Sequence, residues 1–452
     1  MIVMKFGGSS LADAGCMRQV GALVRERIDL APLVVLSAVG GTTDVLFVMA
    51  RSAREGDLAA AMASLASLGA RHRRLAEELF EGSVPEEVCT ALADHLEELG
   101  LRLRGIALLG ELSPRSLDSI TAFGERLSSL IFAHWIQAPC VDARQVLITD
   151  ALFGEAQPKP EQIRARAAER IQPLLGPGLA VVTQGYIGGT VDGLTTTLGR
   201  GGSDYSAALF GAALGARELQ IWTDVEGVLT CDPRIVPEAQ PIAELSFAEA
   251  AELAAFGAKI LHPATIQPAV EADIPVTVRH TQRPEGDFTT ITGRVATGRP
   301  VTALASRAGL TVLTVSSTRM LQQPGFLAKL FDVFARHRVS VDLVATAEVS
   351  VSLTVDADVP LEPLLEELDA IATVSVVRDR ALVAVVGERL KVTSGLAGRI
   401  FSALGDLNVE MISMGANEIN LSMVVAAADA PRALVQLHHA LMEPPSSSDG
   451  RA

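Results

Sequence analysis

The 452-residue sequence predicts an α/β protein, with a mainly parallel sheet sandwiched by helices, followed by two small α+β modules. Strand-like apolar runs alternate with helical patterns over about the first 295 residues, which is typical of βα units. Apolar residues make up 49% of the chain and aromatic residues only 4%, a mixture that suits helices packed on buried parallel strands. An internal repeat in the tail predicts the two modules.

Two βα units open the chain. Met1–Phe6 is an apolar run followed by glycines and serines, and a helical pattern then continues through Arg27. Leu33–Ser37 is a second apolar run, closed by the Gly- and Thr-rich residues 38–43 before another helix. From about residue 44 to 135 the pattern is almost wholly helical, which predicts a helical insertion. Further strands are expected at Cys140–Asp142, Gln145–Ile148, Leu179–Thr183, Leu219–Thr223 and Pro275–Arg279.

The repeat in the tail has a period of 70 residues. Residues 310–355, moved forward by 70, meet 380–425 without a gap, so that Gly325 falls on Gly395 and Glu348 on Glu418. Each copy has the order strand, Gly, amphipathic helix, strand, turn, strand. A unit this long that occurs only twice favours a pair of small α+β domains over a solenoid. We therefore expect a first domain at 1–295 and a second region at 296–452, with copies at about 308–378 and 379–445.

Charge and cysteine content exclude several classes of protein. Thirty-eight basic and 53 acidic residues give a net charge of −15, which argues against a nucleic-acid partner because that affinity comes mainly from Lys and Arg. Four widely spaced cysteines, without a CxxC pair, predict neither a zinc site nor a disulfide framework. The sequence also has no leader pattern and no long uncharged apolar stretch. We expect a cytoplasmic protein with no membrane partner.

The most informative segment is the Gly-rich stretch Thr195–Ser206, which follows an apolar strand and enters an Ala-rich helix ending near Gly215. Glycines between a strand and a helix let backbone N–H groups approach an anion, and the helix N-terminus adds partial positive charge. Ser203 and Asp204 are expected to be N-caps of this helix. The plain alternative is a capped βα turn, but three glycines around Arg200 favour an anion site.

A second Gly-rich turn, Lys5–Ser10, has the same placement and adds a lysine on the last strand residues. A lysine together with Gly-rich backbone can neutralise phosphate oxygens. Alone, this motif is weak, and a surface lysine before a turn is the alternative; two such loops in one domain are more persuasive. The sequence contains no GxxxxGK[ST], GxGxxG, HExxH or GxSxG motif.

Taken together, the motifs resemble aspartate kinase, within the amino acid kinase family. Six of them occur in the family's order: Lys5–Ser10, Phe123–Arg126, Thr195–Asp204, Trp222–Asp224, Asp232–Arg234 and Phe256–Pro263. The tail resembles tandem ferredoxin-like ACT domains, with Gly325–Leu327 and Val341–Leu343 through Val351 as matching segments. The resemblance therefore extends over nearly the whole chain and implies an amino acid kinase fold followed by the ACT pair.

This resemblance implies ATP-dependent phosphorylation of the L-aspartate side chain to 4-phospho-L-aspartate, the first step toward lysine, threonine and methionine. It implies ATP with Mg²⁺ bound mainly through the phosphates, and no metal site built from protein side chains. Lys5 and Asp204 are the implied catalytic pair. The implied aspartate-binding residues are Ser37, Thr43, Glu125, Arg200 and Ser203, and the implied ATP-binding residues are Lys5, Gly7, Gly8, Ser9, Thr223, Asp224, Arg234 and Lys259.

Feedback inhibition is implied by the ACT-like tail. In lysine-sensitive relatives the first module binds the inhibitor, and the matching residues here are Met320, Gly325, Phe326, Asp342, Thr346 and Glu348. The chain departs from the usual pattern at Gln322, where a histidine is usual, and at Ala347, where a serine is usual. Lysine is therefore the first choice of inhibitor, with a weaker or altered response, and threonine is the second.

Three alternatives remain open at this point. The alternatives are a kinase for glutamate, N-acetylglutamate or UMP, a catalytically inactive amino-acid sensor, and a nicotinamide-dependent dehydrogenase. The Phe-Gly-Glu motif with the paired tail, the retained charged residues and the missing glycine fingerprint argue against each in turn. ACT modules commonly pair across subunits, so a homodimer or a dimer of dimers through the tail is expected. A monofunctional enzyme is also expected.

Overall fold

The computed structural model describes residues 1–257, 263–293, 295, 300–320, 324–415 and 417–442. The chain divides into two compact units. The first contains Met1–Val228, Ala243–Phe247 and Leu261–Val295, and the second contains Leu229–Ile242, Ala248–Ile260 and Ala296–Ala452. Residues 229–242 and 248–260 thus cluster with the tail rather than with the residues beside them in sequence. No helix within the described ranges is long and apolar enough to cross a membrane.

The first unit is built on an eight-stranded sheet with the order β3-β5-β2-β1-β8-β10-β11-β9 and a three-stranded sheet with the order β4-β6-β7. Among the described strands of the larger sheet, β10 and β11 are the one antiparallel pair, so the predicted mainly parallel sheet is confirmed. The strands are β1 (Ile2–Phe6), β2 (Pro32–Leu36), β3 (Cys140–Val141), β4 (Ile148–Thr149), β5 (Val181–Gln184), β6 (Ile187–Thr190), β7 (Thr195–Thr197), β8 (Leu219–Thr223), β9 (Glu244–Ser246), β10 (Val276–His280) and β11 (Thr289–Thr292).

Helices cover both faces of this sheet. Those of the first unit are α1 (Ala14–Glu26), α2 (Thr42–Arg54), α3 (Leu58–Leu79), α4 (Glu86–Leu109), α5 (Pro114–Thr121), α6 (Phe123–Ile136), α7 (Pro160–Arg170), α8 (Gly202–Leu214) and α10 (Pro263–Glu271), while α9 (Phe247–Ala255) lies almost wholly in the second. The run α2–α6 confirms the predicted helical insertion. It folds back on itself as a bundle, because its apolar stripes pack into one core with α1.

Strand β1 shows why the sheet is sandwiched. All five of its residues are buried, and alternate side chains point to opposite faces. Ile2, Met4 and Phe6 join the core formed with the helical insertion. Val3 faces the other way, toward Gly211 of α8, where a Cβ would lie 3.8 Å from Val3 Cγ2. A continuous apolar run is therefore needed here rather than an alternating one.

Two predictions about local structure were wrong. The segment Gln145–Ile148 was expected to be a strand, but residues 143–145 form a 3-10 turn capped by Asp142, whose carboxylate accepts the Arg144 N–H, and β4 begins only at Ile148. Ser203 and Asp204 were expected to be N-caps, but α8 begins at Gly202 with Gly201 as its N-cap. Gly201 has φ +72°, a left-handed conformation that glycine adopts without strain, so the helix starts two residues earlier than a serine cap would allow.

The second unit contains a six-stranded sheet with the order β13-β14-β12-β15-β17-β16. Its strands are β12 (Ala303–Ser316), β13 (Val344–Thr346), β14 (Ser350–Asp356), β15 (Thr373–Val386), β16 (Met411–Met414) and β17 (Asn420–Ala426). Its helices are α11 (Phe326–Arg336), α12 (Glu362–Asp369), α13 (Leu396–Leu404) and α14 (Ala430–Met442). The order strand, helix, strand, strand occurs twice, which confirms the predicted pair of α+β modules.

The two modules share their longest strands. Leu310–Ser316, in the second half of β12, pairs with β14, and Ala303–Ala308, in the first half, pairs with Ala381–Val386 at the end of β15. The change of register falls at Gly309, which has φ +77°. The first half of β12 therefore adds a strand to the second module, although it precedes the first module in sequence. Two separate cores form, one per module.

Candidate active site

A cleft of about 740 Å³ opens at the carboxyl ends of neighbouring parallel strands in the first unit. The segments after β1 (Gly7–Gly8) and after β2 (Ser37–Gly41) line it, together with the start of α8. This is the edge at which open α/β sheets commonly bind ligands. Nine residues assigned from the sequence meet in this cleft: Lys5, Gly7, Gly8, Ser37, Thr43, Glu125, Arg200, Ser203 and Asp204.

Lys5 and Asp204 form an ion pair at the floor of the cleft. Lys5 is the fourth residue of β1, and Asp204 lies in the first turn of α8. The distance from Lys5 Nζ to Asp204 Oδ1 is 2.6 Å, with the side chains only 11% and 18% exposed. Two charged groups this buried are expensive to leave unpaired, so the pair holds the lysine ammonium in a defined position. An ammonium fixed beside a Gly-rich turn suits an anionic ligand.

The two Gly-rich turns after β1 and β2 pack against each other backbone to backbone. A Cβ on Gly8 would lie 3.0 Å from Ala38 O and 3.3 Å from Gly40 Cα, and a Cβ on Gly40 would lie 3.1 Å from Gly8 O. Neither position has room for a side chain without movement of the other turn. This contact therefore favours glycine at both positions, and the lack of side chains leaves the backbone accessible from the cleft.

The segment around Arg200 connects β7 to α8. Gly199 and Gly201 both have positive φ, at +74° and +72°, so the chain turns twice within three residues and carries the exposed Arg200 side chain at the cleft. Ser203 packs closely on the end of β5, where a Cβ on Gly185 would lie only 2.8 Å from Ser203 Cβ. The two positive-φ glycines thus set both the direction of Arg200 and the start of the helix.

Glu125 is the most unusual group in the cleft. It lies in the first turn of α6 and is only 3% exposed. Its Oε1 accepts the backbone N–H of Ala38 at 3.1 Å, while its buried Oε2 has no hydrogen-bond partner among the described residues. Burial raises the pKa of Glu125 to about 8, although the Ala38 N–H opposes this effect. A buried carboxylate with a free oxygen at a cleft is suited to receive a cationic group.

Of the remaining nucleotide-binding candidates, the four that the structure describes do not line this cleft. Ser9 is exposed in the turn after β1. Thr223 ends β8, with its hydroxyl 3.1 Å from Asp224 Oδ1. Arg234 belongs to the second unit, where it is 79% exposed and paired with Asp232 at 2.6 Å. Lys259 lies outside the described residues.

Comparison with known proteins identifies the family. The amino acid kinase family matches residues 1–280, and an ACT domain family matches residues 313–359 and 383–441. Lysine-sensitive aspartokinase 3 of Escherichia coli K12 is 40% identical over 98% of this chain and 99% of its own length. Chloroplastic aspartokinase 1 of Arabidopsis thaliana is 39% identical over 98% of this chain and 80% of its own length.

The chain belongs to the aspartokinases.

Solved aspartokinase structures agree with this assignment. Escherichia coli aspartokinase III in complex with lysine and aspartate superposes with a TM-score of 0.82 at 38% identity, covering 98% of this chain and all of that one. The same enzyme in complex with aspartate and ADP gives a TM-score of 0.82 at 39% identity over 98% of this chain and 100% of that one. The amino acid kinase fold with tandem ACT domains, expected from the sequence, is confirmed.

The residues matched to the aspartokinase inhibitor site all lie in the second unit. Gly325, with φ +85°, is the N-cap of α11, and Phe326 begins the helix as a buried core residue. Thr346 and Glu348 are exposed at and just beyond the end of β13. Met320 ends a short 3-10 turn and packs against the core of the first module. The structure describes neither Gln322 nor its two neighbours in sequence.

Asp342 already has a partner within the second unit. Its carboxylate accepts a hydrogen bond from the Arg307 guanidinium, which also lies 3.6 Å from the Asp356 carboxylate. Burial raises the pKa of Asp342, while the charge of Arg307 opposes the rise. A cationic ligand that uses Asp342 would therefore have to compete with Arg307.

One wall of the cleft consists of residues that were not predicted from the sequence. Leu117 and Asp118 of α5, the loop residues Gly154 and Glu155, and Tyr186 all line it. Asp118 is the most informative of these, since it is polar and yet only 3% exposed. Asp118 precedes Glu125 by seven residues, a spacing that would place both carboxylates on one face of a single helix, but α5 ends at Thr121 and α6 begins at Phe123. The loop residues carry no such pattern.

Proposed function

We propose that the chain transfers the γ-phosphoryl group of ATP to the side-chain carboxylate of L-aspartate, giving 4-phospho-L-aspartate. This proposal rests on the side chains and backbone groups that line one cleft. It combines the Lys5–Asp204 pair, two bare Gly-rich turns, the Arg200 side chain and a buried Glu125 with a free oxygen. These groups suit a phosphate chain beside a small molecule that carries two carboxylates and one ammonium.

Each part of the substrate finds a group of opposite character. Arg200 would hold a carboxylate, because its guanidinium matches that group in shape and charge. Glu125 would accept the α-ammonium through its free Oε2. Ser37, Thr43 and Ser203 supply hydroxyl groups at the same cleft. The choice of aspartate over other dicarboxylates rests on the match to aspartokinases over nearly the whole chain.

The chemistry needs electrostatics more than acid–base catalysis. An aspartate side chain with a pKa of about 4 is already ionised at neutral pH, so the nucleophile needs no general base. The obstacle is that this anion must approach an anionic triphosphate. Lys5, oriented by Asp204, and the backbone N–H groups of Gly7 and Gly8 would stabilise the charge on the transferring phosphoryl group. The free glycine backbone allows the close approach that this requires.

The rest of the nucleotide site is proposed from the match to the family motifs. Five further residues stay ATP-binding candidates because they match the family motifs: Ser9, Thr223, Asp224, Arg234 and Lys259. Thr223 gives this some support, because Trp222 of β8 pairs with Phe6 of β1 and both strands end at the cleft's edge of the sheet. Mg²⁺ would arrive on the ATP phosphates, as it commonly does in kinases, and would neutralise part of their charge.

Regulation is proposed at the first ACT module. Escherichia coli aspartokinase III has been crystallised with lysine, and this chain matches it at 38% identity. Lysine is therefore the proposed inhibitor, with threonine as the second candidate. The exposed Thr346 and Glu348 and the Arg307-paired Asp342 supply the polar groups for such a ligand. Ala347 supplies no hydroxyl, which favours a weaker lysine response.

Assembly and compartment are further proposals. Strands β13 and β16 each pair with one neighbour and carry the exposed apolar side chains Val344, Ile412 and Met414, which supports a homodimer or a dimer of dimers through this region. None of the cysteines is disulfide-bonded, which supports a reducing cytoplasmic location.

A hydroxamate assay tests the proposed function. Hydroxylamine traps an acyl phosphate, so the purified protein with L-aspartate and MgATP should form aspartate hydroxamate together with one equivalent of ADP. When glutamate, N-acetylglutamate or UMP replaces aspartate, ADP should form only at the background rate. Turnover with one of these instead would assign another kinase activity, and absence of turnover with all four would favour the inactive sensor.

A further inference from the structure

The Asp118 carboxylate joins three separate segments beside the cleft. Its Oδ2 accepts the backbone N–H of Gly154 and that of Thr197, both at 2.9 Å. Its Oδ1 accepts the Thr197 hydroxyl at 2.8 Å. These donors are 36 and 79 residues away in sequence. One buried side chain on α5 therefore fixes both the loop after β4 and the end of β7.

The loop after β4 does not need Asp118 to close its own base. Asp150 Oδ1 accepts the N–H of Leu152 at 3.0 Å and that of Gln157 at 2.9 Å, and the Asp150 N–H donates to Gln157 O at 2.9 Å. These contacts join the two ends of the loop. Asp118 instead holds Gly154, which lies at the middle of the loop and at the wall of the cleft. The loop thus has a base held by Asp150 and a tip held by Asp118.

The loop tip supports the turn that carries Arg200. The Ala156 N–H donates to Thr197 O at 2.9 Å, which joins the loop to β7. A Cβ on Gly199 would lie 3.2 Å from Gly154 O and 3.2 Å from Glu155 Cγ, so the turn rests directly on the tip. Arg200 is the next residue. Any shift of Gly154 or Thr197 would therefore be passed to the Arg200 backbone.

We propose that Asp118 is a positioning residue for catalysis, which sets the place of the Arg200 guanidinium by holding Gly154 and Thr197. This inference rests on the proposed role of Arg200 in binding the substrate aspartate. Asp118 does not itself need to touch the substrate. Its effect should appear in the binding of aspartate and not in the binding of ATP.

The three hydrogen bonds to Asp118 call for a carboxylate at this position. A carboxylate offers only acceptors, and here two oxygens receive three donors. Asn at this position would present an amide N–H₂ in place of one oxygen, so either the two backbone N–H groups would lose their acceptor or the Thr197 hydroxyl would have to reverse its role and accept from the amide. Burial raises the pKa of Asp118 while the three donors lower it. The side chain is thus held by several contacts that an amide would not reproduce.

Steady-state kinetics of Asp118→Asn on the full chain test the proposal. The KM for aspartate should rise about tenfold or more, with the KM for MgATP within about twofold of the wild type. Asp150→Asn is the matched control, because it removes a charge from the same loop but keeps an acceptor oxygen for Leu152 and Gln157. Its kinetic constants should stay near those of the wild type.

Thr197 supplies a second, milder pair of variants. Thr197→Val removes the hydroxyl donor to Asp118 and should raise the KM for aspartate about two- to fivefold, while Thr197→Ser keeps the hydroxyl and should restore it. This pair keeps the proposal testable if Asp118→Asn does not fold. An unchanged KM for aspartate in Thr197→Val would count against Asp118 in that case.

A double-mutant cycle with Arg200→Ala separates positioning from general stability. If Asp118 acts through Arg200, Asp118→Asn should add little to the loss in kcat/KM for aspartate already caused by Arg200→Ala. Full additivity, or equal rises in KM for aspartate and MgATP, would overturn the inference. A wild-type protein without aspartate-dependent turnover would overturn the proposed function and this inference with it; an active wild type with an unaffected Asp118→Asn would overturn the inference alone.

Discussion

Glu125 accepts the backbone N–H of Ala38 through Oε1 at 3.1 Å and leaves its buried Oε2 without a partner in the described chain. The contact joins the first turn of α6 to the turn that follows β2, and so places the carboxylate at the wall of the cleft. An unpaired buried oxygen destabilises the folded protein, since its hydration is lost without replacement. A bound ammonium would supply the missing interaction.

The pH dependence of aspartate binding follows from this arrangement. The pKa of Glu125 is raised to about 8 by burial, so most of the free enzyme carries a protonated Glu125 at pH 7. The ammonium of aspartate prefers the ionised form. We expect kcat/KM for aspartate to rise about tenfold per pH unit between roughly pH 6 and 7.5, and to level off above pH 8.

Glu125→Gln should remove this pH dependence and raise the KM for aspartate, because the amide cannot ionise. Glu97→Gln, on the exposed face of α4, is the matched control and should keep the wild-type profile. A wild-type profile that stays flat from pH 6 to 8 would remove Glu125 from the proposed role.

The same substitution should stabilise the empty protein. Because the folded pKa of Glu125 lies above the unfolded value of about 4.3, the folded state binds more protons between pH 4.3 and 8, and the free energy of unfolding falls as the pH rises through that interval. Glu125→Gln does not bear this cost. Its Tm should therefore exceed that of the wild type at pH 8.5, and the difference should shrink toward pH 5. An equal or lower Tm at pH 8.5 would contradict the burial of an uncompensated carboxylate.

Replacement of Lys5 should act on turnover rather than on folding. Lys5→Ala should lower kcat at least a hundredfold, comparable to the loss of about 3–4 kcal/mol seen when an oxyanion donor is removed. Circular dichroism should show an intact fold, and Lys391→Ala, at an exposed position of the second unit, should leave kcat unchanged. Near-normal turnover of Lys5→Ala would contradict the role assigned to its ammonium group.

The contact between the two Gly-rich turns predicts a further loss. Gly8→Ala would place a Cβ 3.0 Å from Ala38 O, and the displacement of Ala38 would disturb the donor to Glu125. We expect a fall in kcat/KM for aspartate of at least tenfold. Gly105→Ala is the control, because a Cβ there, four residues before the end of α4, meets nothing within 4 Å, and it should stabilise the protein by about 0.5–1 kcal/mol. Equal kinetics in both variants would contradict the need for bare backbone at Gly8.

Inhibition by lysine should respond to Arg307 and Ala347. Arg307→Gln frees the Asp342 carboxylate and should strengthen lysine inhibition several-fold, because the ligand no longer competes with the guanidinium. Ala347→Ser restores a hydroxyl and should strengthen it about fivefold, the equivalent of one hydrogen bond of about 1 kcal/mol. The inhibitor concentration at half-maximal rate measures both. A weaker response in Arg307→Gln would mean that Arg307 supports the inhibitor site and does not compete with the ligand.

The sequence predicted most of the frame of this site. Lys5, the Gly-rich turns and Arg200 were found because glycines between an apolar strand and a helix leave a pattern that is local in the chain. Glu125 was found through its motif alone, since nothing local to residue 125 indicates that its carboxylate is buried.

The wall of the cleft that contains Asp118 could not be predicted in the same way. Its contacts join residues 36 and 79 positions apart, and such pairings depend on how α5 and β7 pack. The strand expected at Gln145–Ile148 was wrong for a related reason: Asp142 caps the next three residues as a turn, and this local hydrogen bond overrides their apolar pattern. The early start of α8 likewise depends on a positive φ at Gly201.

The most direct test of the central claim is a crystal structure with L-aspartate and a non-hydrolysable ATP analogue. The γ-phosphate oxygens should lie about 2.7–2.9 Å from Lys5 Nζ and within hydrogen-bonding distance of the Gly7 and Gly8 backbone, with the substrate ammonium on Glu125 Oε2. A terminal phosphate bound beyond the reach of both Gly-rich turns would contradict the account.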